Sequence, residues 1–142
     1  MSEANRLVER LIDAINANDL DVMDELFVPP YAEAPKNAFT HFRAAFPDWH
    51  EEIEQIVVEG DLVAAHFKCS GTHLGEFMGV APTGNRMDKV DEVYFLRVRD
   101  GKFVEFWGME DNLGRLRQLG IDPNLLYRAP AEGGSSDGAE CG

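Results

Sequence analysis

Val104-Glu105-Phe106-Trp107-Gly108-Met109-Glu110-Asp111-Asn112-Leu113 changes its apolar period half-way along, and that change sets the fold. Its first half reads as an apolar strand carrying large aromatics. Its second half passes through two acids into leucines at helical spacing, Leu113, Leu116 and Leu119, which stop at Gly120. A strand therefore runs directly into a short helix, with a carboxylate at the junction beside a tryptophan. An acid so placed can sit at the mouth or floor of a pocket, which makes Asp111 the first candidate for a functional carboxylate.

Working backwards, Arg99-Asp100-Gly101-Lys102 is a tight hairpin turn between residues 102–109 and an earlier strand over 87–98. Before it, Gly71 to Gly84 is a glycine-punctuated excursion ending in a Pro82-Thr83-Gly84 turn. Leu62 to Cys69 is another strand, and Glu59-Gly60-Asp61 turns it back on Ile53, Ile56, Val57 and Val58. Sequential strands joined by short turns make an antiparallel meander. Ahead of the strands, Leu7, Leu11, Ile12 and Ile15 give an amphipathic helix over 3–17. Asp19 is placed to cap a short second helix through Leu20, Met23, Leu26 and Phe27, which Pro29-Pro30 ends. A third follows Pro35 and carries Phe39, Phe42 and Phe46. Helices followed by a strongly bent sheet give an α+β layout, a cone enclosing a cavity. Residues 1–127 form a single domain. From Pro130 to Gly142 no apolar period remains, so 128–142 is expected to be a disordered tail.

The 142-residue chain has 44% apolar residues, enough for one domain with a substantial core. Asp and Glu outnumber Lys and Arg by 26 to 13, giving a net charge of −13. That charge repels phosphate backbones and anionic lipid, which argues against nucleic-acid and membrane partners. The two cysteines, Cys69 and Cys141, lie far apart and form no disulfide framework. With neither a signal peptide nor a run of about 18 apolar residues, the expected setting is the cytoplasm.

Several segments, in this order, resemble the SnoaL-like polyketide cyclases, or ester cyclases. They are Phe46-Pro47-Asp48-Trp49-His50, Glu59-Gly60-Asp61, Gly71-Thr72-His73-Leu74-Gly75-Glu76-Phe77, Pro82-Thr83-Gly84, Arg97 to Lys102, Glu105-Phe106-Trp107 with Asp111, and Arg117-Gln118-Leu119-Gly120. The resemblance implies the NTF2-like cone with an apolar cavity, oligomeric as a homodimer or homotetramer. It also implies intramolecular aldol ring closure of a polyketide methyl ester, without metal or organic cofactor. An aspartate in the stretch matching Trp107 to Asp111 would serve as acid and base, and the matching position is Asp111. The chain departs from the family at Phe106, where histidine is frequent, and in the short segment Val28 to Pro35.

Ring closure needs a base for a proton alpha to a carbonyl, a holder for the enolate, and an acid for the oxygen formed. One carboxylate serves as base and then acid if burial raises its pKa toward the working pH. Trp107, Met109 and Phe77 are the expected apolar wall around Asp111. His66 and His73 are the candidate hydrogen-bonding residues of the pocket; the structural alternative for His66 is a place at the sheet surface, and for His73 a bond within its own loop. The structural alternative for Asp111 is the N-cap of the last helix; for Asp48 it is a turn residue; for Cys69 it is a small buried apolar side chain. The scattered histidines have no metal-site spacing, so no zinc is expected. Two functions follow: a cofactor-free enzyme acting on an apolar carbonyl compound, or a non-catalytic NTF2-like module that binds an apolar ligand or dimerises through its sheet.

Overall fold

The computed structural model of the chain describes residues 2–127; the tail expected over 128–142 lies outside them. Helix α1, Glu3–Asn16, starts where the Ser2 hydroxyl accepts from the Asn5 N–H and buries Leu7, Val8, Leu11, Ile12 and Ile15. Asp19 makes no side-chain cap; its backbone N–H is used by the Ala14 carbonyl instead. A 3-10 turn, Leu20–Val22, and the one-turn helix α2, Met23–Leu26, follow. Helix α3, Glu33–Ala45, has Pro35 in its first turn, where no N–H is needed.

Four strands come next: β1, His50–Glu59; β2, Leu62–Thr72; β3, Arg86–Arg99; and β4, Lys102–Glu110. They form one antiparallel sheet in the order β1-β2-β3-β4, as the short turns require. The ladder slips at Ile53/Gln55, Cys69/Gly71 and Arg97/Val98. Such irregularities add twist and bend to a strand. The sheet curls round the helices without closing.

Strand alternation then sorts the side chains onto two faces. Val63, Ala65, Phe67 and Cys69 of β2 and Glu92, Tyr94 and Leu96 of β3 are buried beneath the helices. Their neighbours Ala64, His66, Lys68, Val93, Phe95 and Arg97 lie on the outer face. In β4, Phe106 pairs with Leu96 and is inside, whereas Trp107 pairs with Phe95 and is outside.

The junction behaves as both strand end and helix start. Asp111 Oδ1 accepts the Gly114 N–H at 2.9 Å, capping helix α4, Asn112–Leu119. A Cβ on Gly114 would run into that carboxyl, so the cap needs the glycine. At about 100° per residue, this start turns Arg115, Leu116 and Leu119 inward. Leu113, expected on the apolar stripe, is turned out and exposed. Gly120, at φ 76°, ends the helix in the left-handed region that glycine enters freely, and the short α5, Asn124–Tyr127, follows.

Candidate active site

The expected wall does not form. Trp107 and Met109 are 51% and 62% exposed on the outer face, while Phe77 is buried on the opposite side of the sheet, against α3. The cause is the register: alternation in β4 turns residues 107 and 109 away from the helices. Asp111 joins Asp91, Val93, Phe95, Trp107, Met109 and Glu110 along an outer groove of about 380 Å³. His66 is also on this face. Its Nε2 is 2.7 Å from Asp91 Oδ1, and Lys68 Nζ is 2.6 Å from the same oxygen. These hydrogen bonds hold the Asp91 carboxyl below its ordinary value, Lys68 contributing most. His73 is fully buried, and its Nδ1 accepts the Thr83 N–H at 3.1 Å, tying the 73–84 excursion to itself. Burial lowers its pKa. Of the sequence candidates, the structure brings His66, Trp107, Met109 and Asp111 to one face, and His73 and Phe77 to the other.

A second set of ionisable groups lies inside the cone. Glu51 of β1, Glu92 of β3 and Arg115 of α4 are buried, at 1%, 0% and 0% exposure. Asn16, at the end of α1, fixes Glu51 by accepting its backbone N–H at 2.8 Å and donating to its carbonyl at 2.9 Å. Trp49 Nε1 donates to Glu51 Oε2 at 2.8 Å, and the Tyr94 hydroxyl donates to Glu92 Oε1 at 3.2 Å. The two glutamates are close enough that each perturbs the other's carboxyl. Arg115 pairs with Glu110, donates from Nη1 to Asn112 Oδ1 at 2.9 Å, and holds its Nη2 3.9 Å from Glu92 Oε2. Its guanidinium lies 5.3, 5.6 and 5.7 Å from the ring centres of Phe42, Trp49 and Phe77, a cation–π cage.

Three carboxyls facing one guanidinium cannot all be ionised cheaply in a dry interior. Burial pushes the Glu51 carboxyl up to about 7, against the hydrogen bonds of Trp49 and Glu92. Burial, then the charges of Glu51 and Glu110, push Glu92 well above its ordinary value. Burial is the largest single influence on Arg115 and would lower it, but the charge and hydrogen bond of Glu110, with the further charges around the guanidinium, together outweigh it and keep the group charged. Cys69, also in this interior, has its thiol pushed up by burial and is inert as a nucleophile at neutral pH.

A family model for SnoaL-like polyketide cyclases matches residues 5–119. The chain belongs to the SnoaL-like polyketide cyclase family. It is 30% identical over 145 aligned residues to aklanonic acid methyl ester cyclase AcmA of Streptomyces galilaeus, covering 92% of this chain and all of that protein. It is 31% identical to the nogalonic acid methyl ester cyclase of Streptomyces nogalater, over 80% of this chain and 93% of the relative. Its fold superposes on TsrD of Streptomyces laurentii with a TM-score of 0.77 at 27% identity, over 84% and 96% of the two chains. The cone is therefore the NTF2-like one that SnoaL-like cyclases share. Within the 107–111 stretch of this SnoaL-like chain, the positions facing the interior are Gly108 and Glu110. A Cβ on Gly108 would lie 2.8 Å from Tyr94 Cδ1, so the Tyr94 ring occupies the space a side chain there would need.

Sequence reading passed over Glu51, Glu92, Tyr94 and Arg115. Glu92 did carry a signal, since Val90, Glu92, Tyr94 and Leu96 keep period 2 and put the acid on an apolar face. Glu51, inside a run of acids, and Arg115, on an amphipathic helix, carried none.

Proposed function

We propose that this chain catalyses intramolecular aldol ring closure, or a related isomerisation, of an apolar polyketide ester, without metal or organic cofactor. Ring closure keeps every atom and electron of the substrate, so proton transfer and charge stabilisation suffice. The observation that carries the reading is the set of ionisable carboxyls buried with Arg115 among the aromatic side chains of the cone, in a chain aligned along nearly its whole length with methyl ester cyclases. Asp111 is the base expected from the family stretch, standing on the outer groove with Trp107 and Met109; His66, Phe77 and His73 are the further expected contacts. The working form is a dimer closed through the outer sheet face, where Phe95, Trp107 and Met109 are exposed together. The setting is the cytoplasm, in keeping with the buried free thiol of Cys69.

One observation favours a non-catalytic reading: Phe42, stacked on Trp49 at 4.5 Å, and Arg115 fill the interior. Incubation with an aklanonic-type methyl ester decides between the two. A ring-closed isomer of unchanged mass, formed equally with and without a chelator, is expected. Ester binding without conversion would make the chain a binding module, and dependence on an added metal would end the cofactor-free mechanism.

A further inference from the structure

The interior glutamates are built in a way that a purely structural ion pair does not require. Each leaves one oxygen, Glu51 Oε1 and Glu92 Oε2, buried without a donor among the described residues, although Trp49 and Tyr94 hold the other oxygens and Asn16 holds the Glu51 backbone. One proton held between the two carboxyls would supply the missing donor at rest. The same two oxygens are then the ones free to take or give a proton. The titratable groups facing the pair are Cys69 of β2, Tyr94 of β3, Glu110 of β4 and Arg115 of α4. With Glu110 and Arg115 cancelling, the pair itself carries a single negative charge.

We infer that Glu51 and Glu92 are the acid/base couple of the ring closure, with Tyr94 and Trp49 as positioning residues. The assignment rests on the cyclase reading above. The C–H bond alpha to the ester carbonyl breaks and its proton passes to the Glu51 carboxylate, leaving the electron pair as the enolate. The enolate carbon bonds to the acceptor ketone carbon, whose C=O π pair moves onto oxygen. That oxygen takes the proton held by Glu92. A proton shift from Glu51 to Glu92, between the two oxygens without a donor, restores the starting state. No redox partner is needed, and the net charge of the interior is the same at every stage, so no step pays to separate charge in a dry site.

Access runs past the aromatic cage. A groove of about 510 Å³ between α3 and the 76–78 turn is lined by Phe42, Phe77 and Met78 among others. The rings of Phe42 and Phe77 also carry the Arg115 guanidinium, at 5.3 and 5.7 Å from their centres. Substrate entering from this groove displaces those two rings and meets the Arg115 guanidinium against them, whose Nη2 stands 3.9 Å from Glu92 Oε2.

The test uses the full chain, carbon-13 labelled at glutamate carboxyls, with aklanonic acid methyl ester as probe. Glu51→Gln and Glu92→Gln keep volume and fold and are each expected to slow ring closure by about 100 to 10,000-fold. In the carbon-13 titration one carboxyl is expected to ionise at about 7 rather than near 4.5, and to vanish from that range in Glu51→Gln. Tyr94→Phe removes a donor to ionised Glu92, so the alkaline limb of the rate profile moves to higher pH. A merely structural tyrosine would leave that limb in place. Either glutamine variant folding and reacting at the wild-type rate overturns the assignment, as does titration of both carboxyls near 4.5. Wild type that leaves the ester unchanged sinks the cyclase reading; the titration then decides the shared proton by itself, and ordinary values end it.

Discussion

Asp91 and Glu92 are neighbours in one strand, and their carboxyls have opposite fates. Asp91 points outward to Lys68 and His66, which stabilise its charge and hold its pKa down. Glu92 points inward to Glu51, Tyr94 and the Arg115 cage, where burial and like charges push its pKa up. The two faces of the sheet thus treat the same functional group as different reagents: a permanent anion outside, and a group able to hold and pass a proton inside. Distance along the chain is irrelevant to this; one step of strand alternation moves a carboxyl from one environment to the other.

The largest expected stability effect comes from removing a cation on each face. Arg115→Met leaves the interior carboxyls without a buried partner, at a cost of about 3–5 kcal/mol by urea unfolding. Arg97→Met breaks the outer pairs to Asp61 and Glu105, at 2.6 and 2.9 Å, and costs under about 1 kcal/mol. Equal losses would erase the contrast between the faces.

Next comes pH. Glu51 is raised in the fold from 4.5 to about 7, so the folded state binds the extra proton between those values. Its contribution therefore falls as pH rises from about 4.5 to about 7, by at most roughly 3 kcal/mol. Asp91 has the opposite sign: its pKa is lowered below 3.8, and its contribution is present above 3.8 and lost as pH falls through the folded value. Unfolding curves of wild type and Glu51→Gln should differ in slope between pH 4.5 and 7 and run parallel above it. Parallel curves throughout would place Glu51 in an ordinary solvated setting.

Trp107→Glu puts charge into the exposed aromatic patch, where Trp107 lies 5.5 Å from Phe95. Sedimentation should show a dimer becoming a monomer, with monomer stability changed by only about 0.5 kcal/mol. A wild-type monomer at micromolar concentration would remove the outer face from the working form.

The smallest effect is at Asp111. Asp111→Ala loses the cap and about 1 kcal/mol, and Asp111→Asn keeps it within a few tenths. Its rate sharpens the comparison: a hundredfold loss in the folded Asn variant would move the base to the outer groove.

The sequence by itself determined the element order, the meander, the carboxylate at the strand-to-helix junction and the family, because turns, caps and apolar periods are local and the family segments keep their order. Asp48 shows how far such reading goes: the turn residue expected from Phe-Pro-Asp-Trp does tie down a corner, accepting from the Thr72 N–H at 2.7 Å and the Thr72 hydroxyl at 2.8 Å. Only the tertiary structure decided which face each residue serves. The register put Phe106 inside and Trp107 outside, and the Asp111 cap set the phase of α4 so that Arg115, not Leu113, entered the core. Glu51, Glu92 and Arg115 come from β1, β3 and α4, and what makes them a site is mutual burial. Burial is set by the packing of all the elements at once, and no local pattern in the chain encodes it.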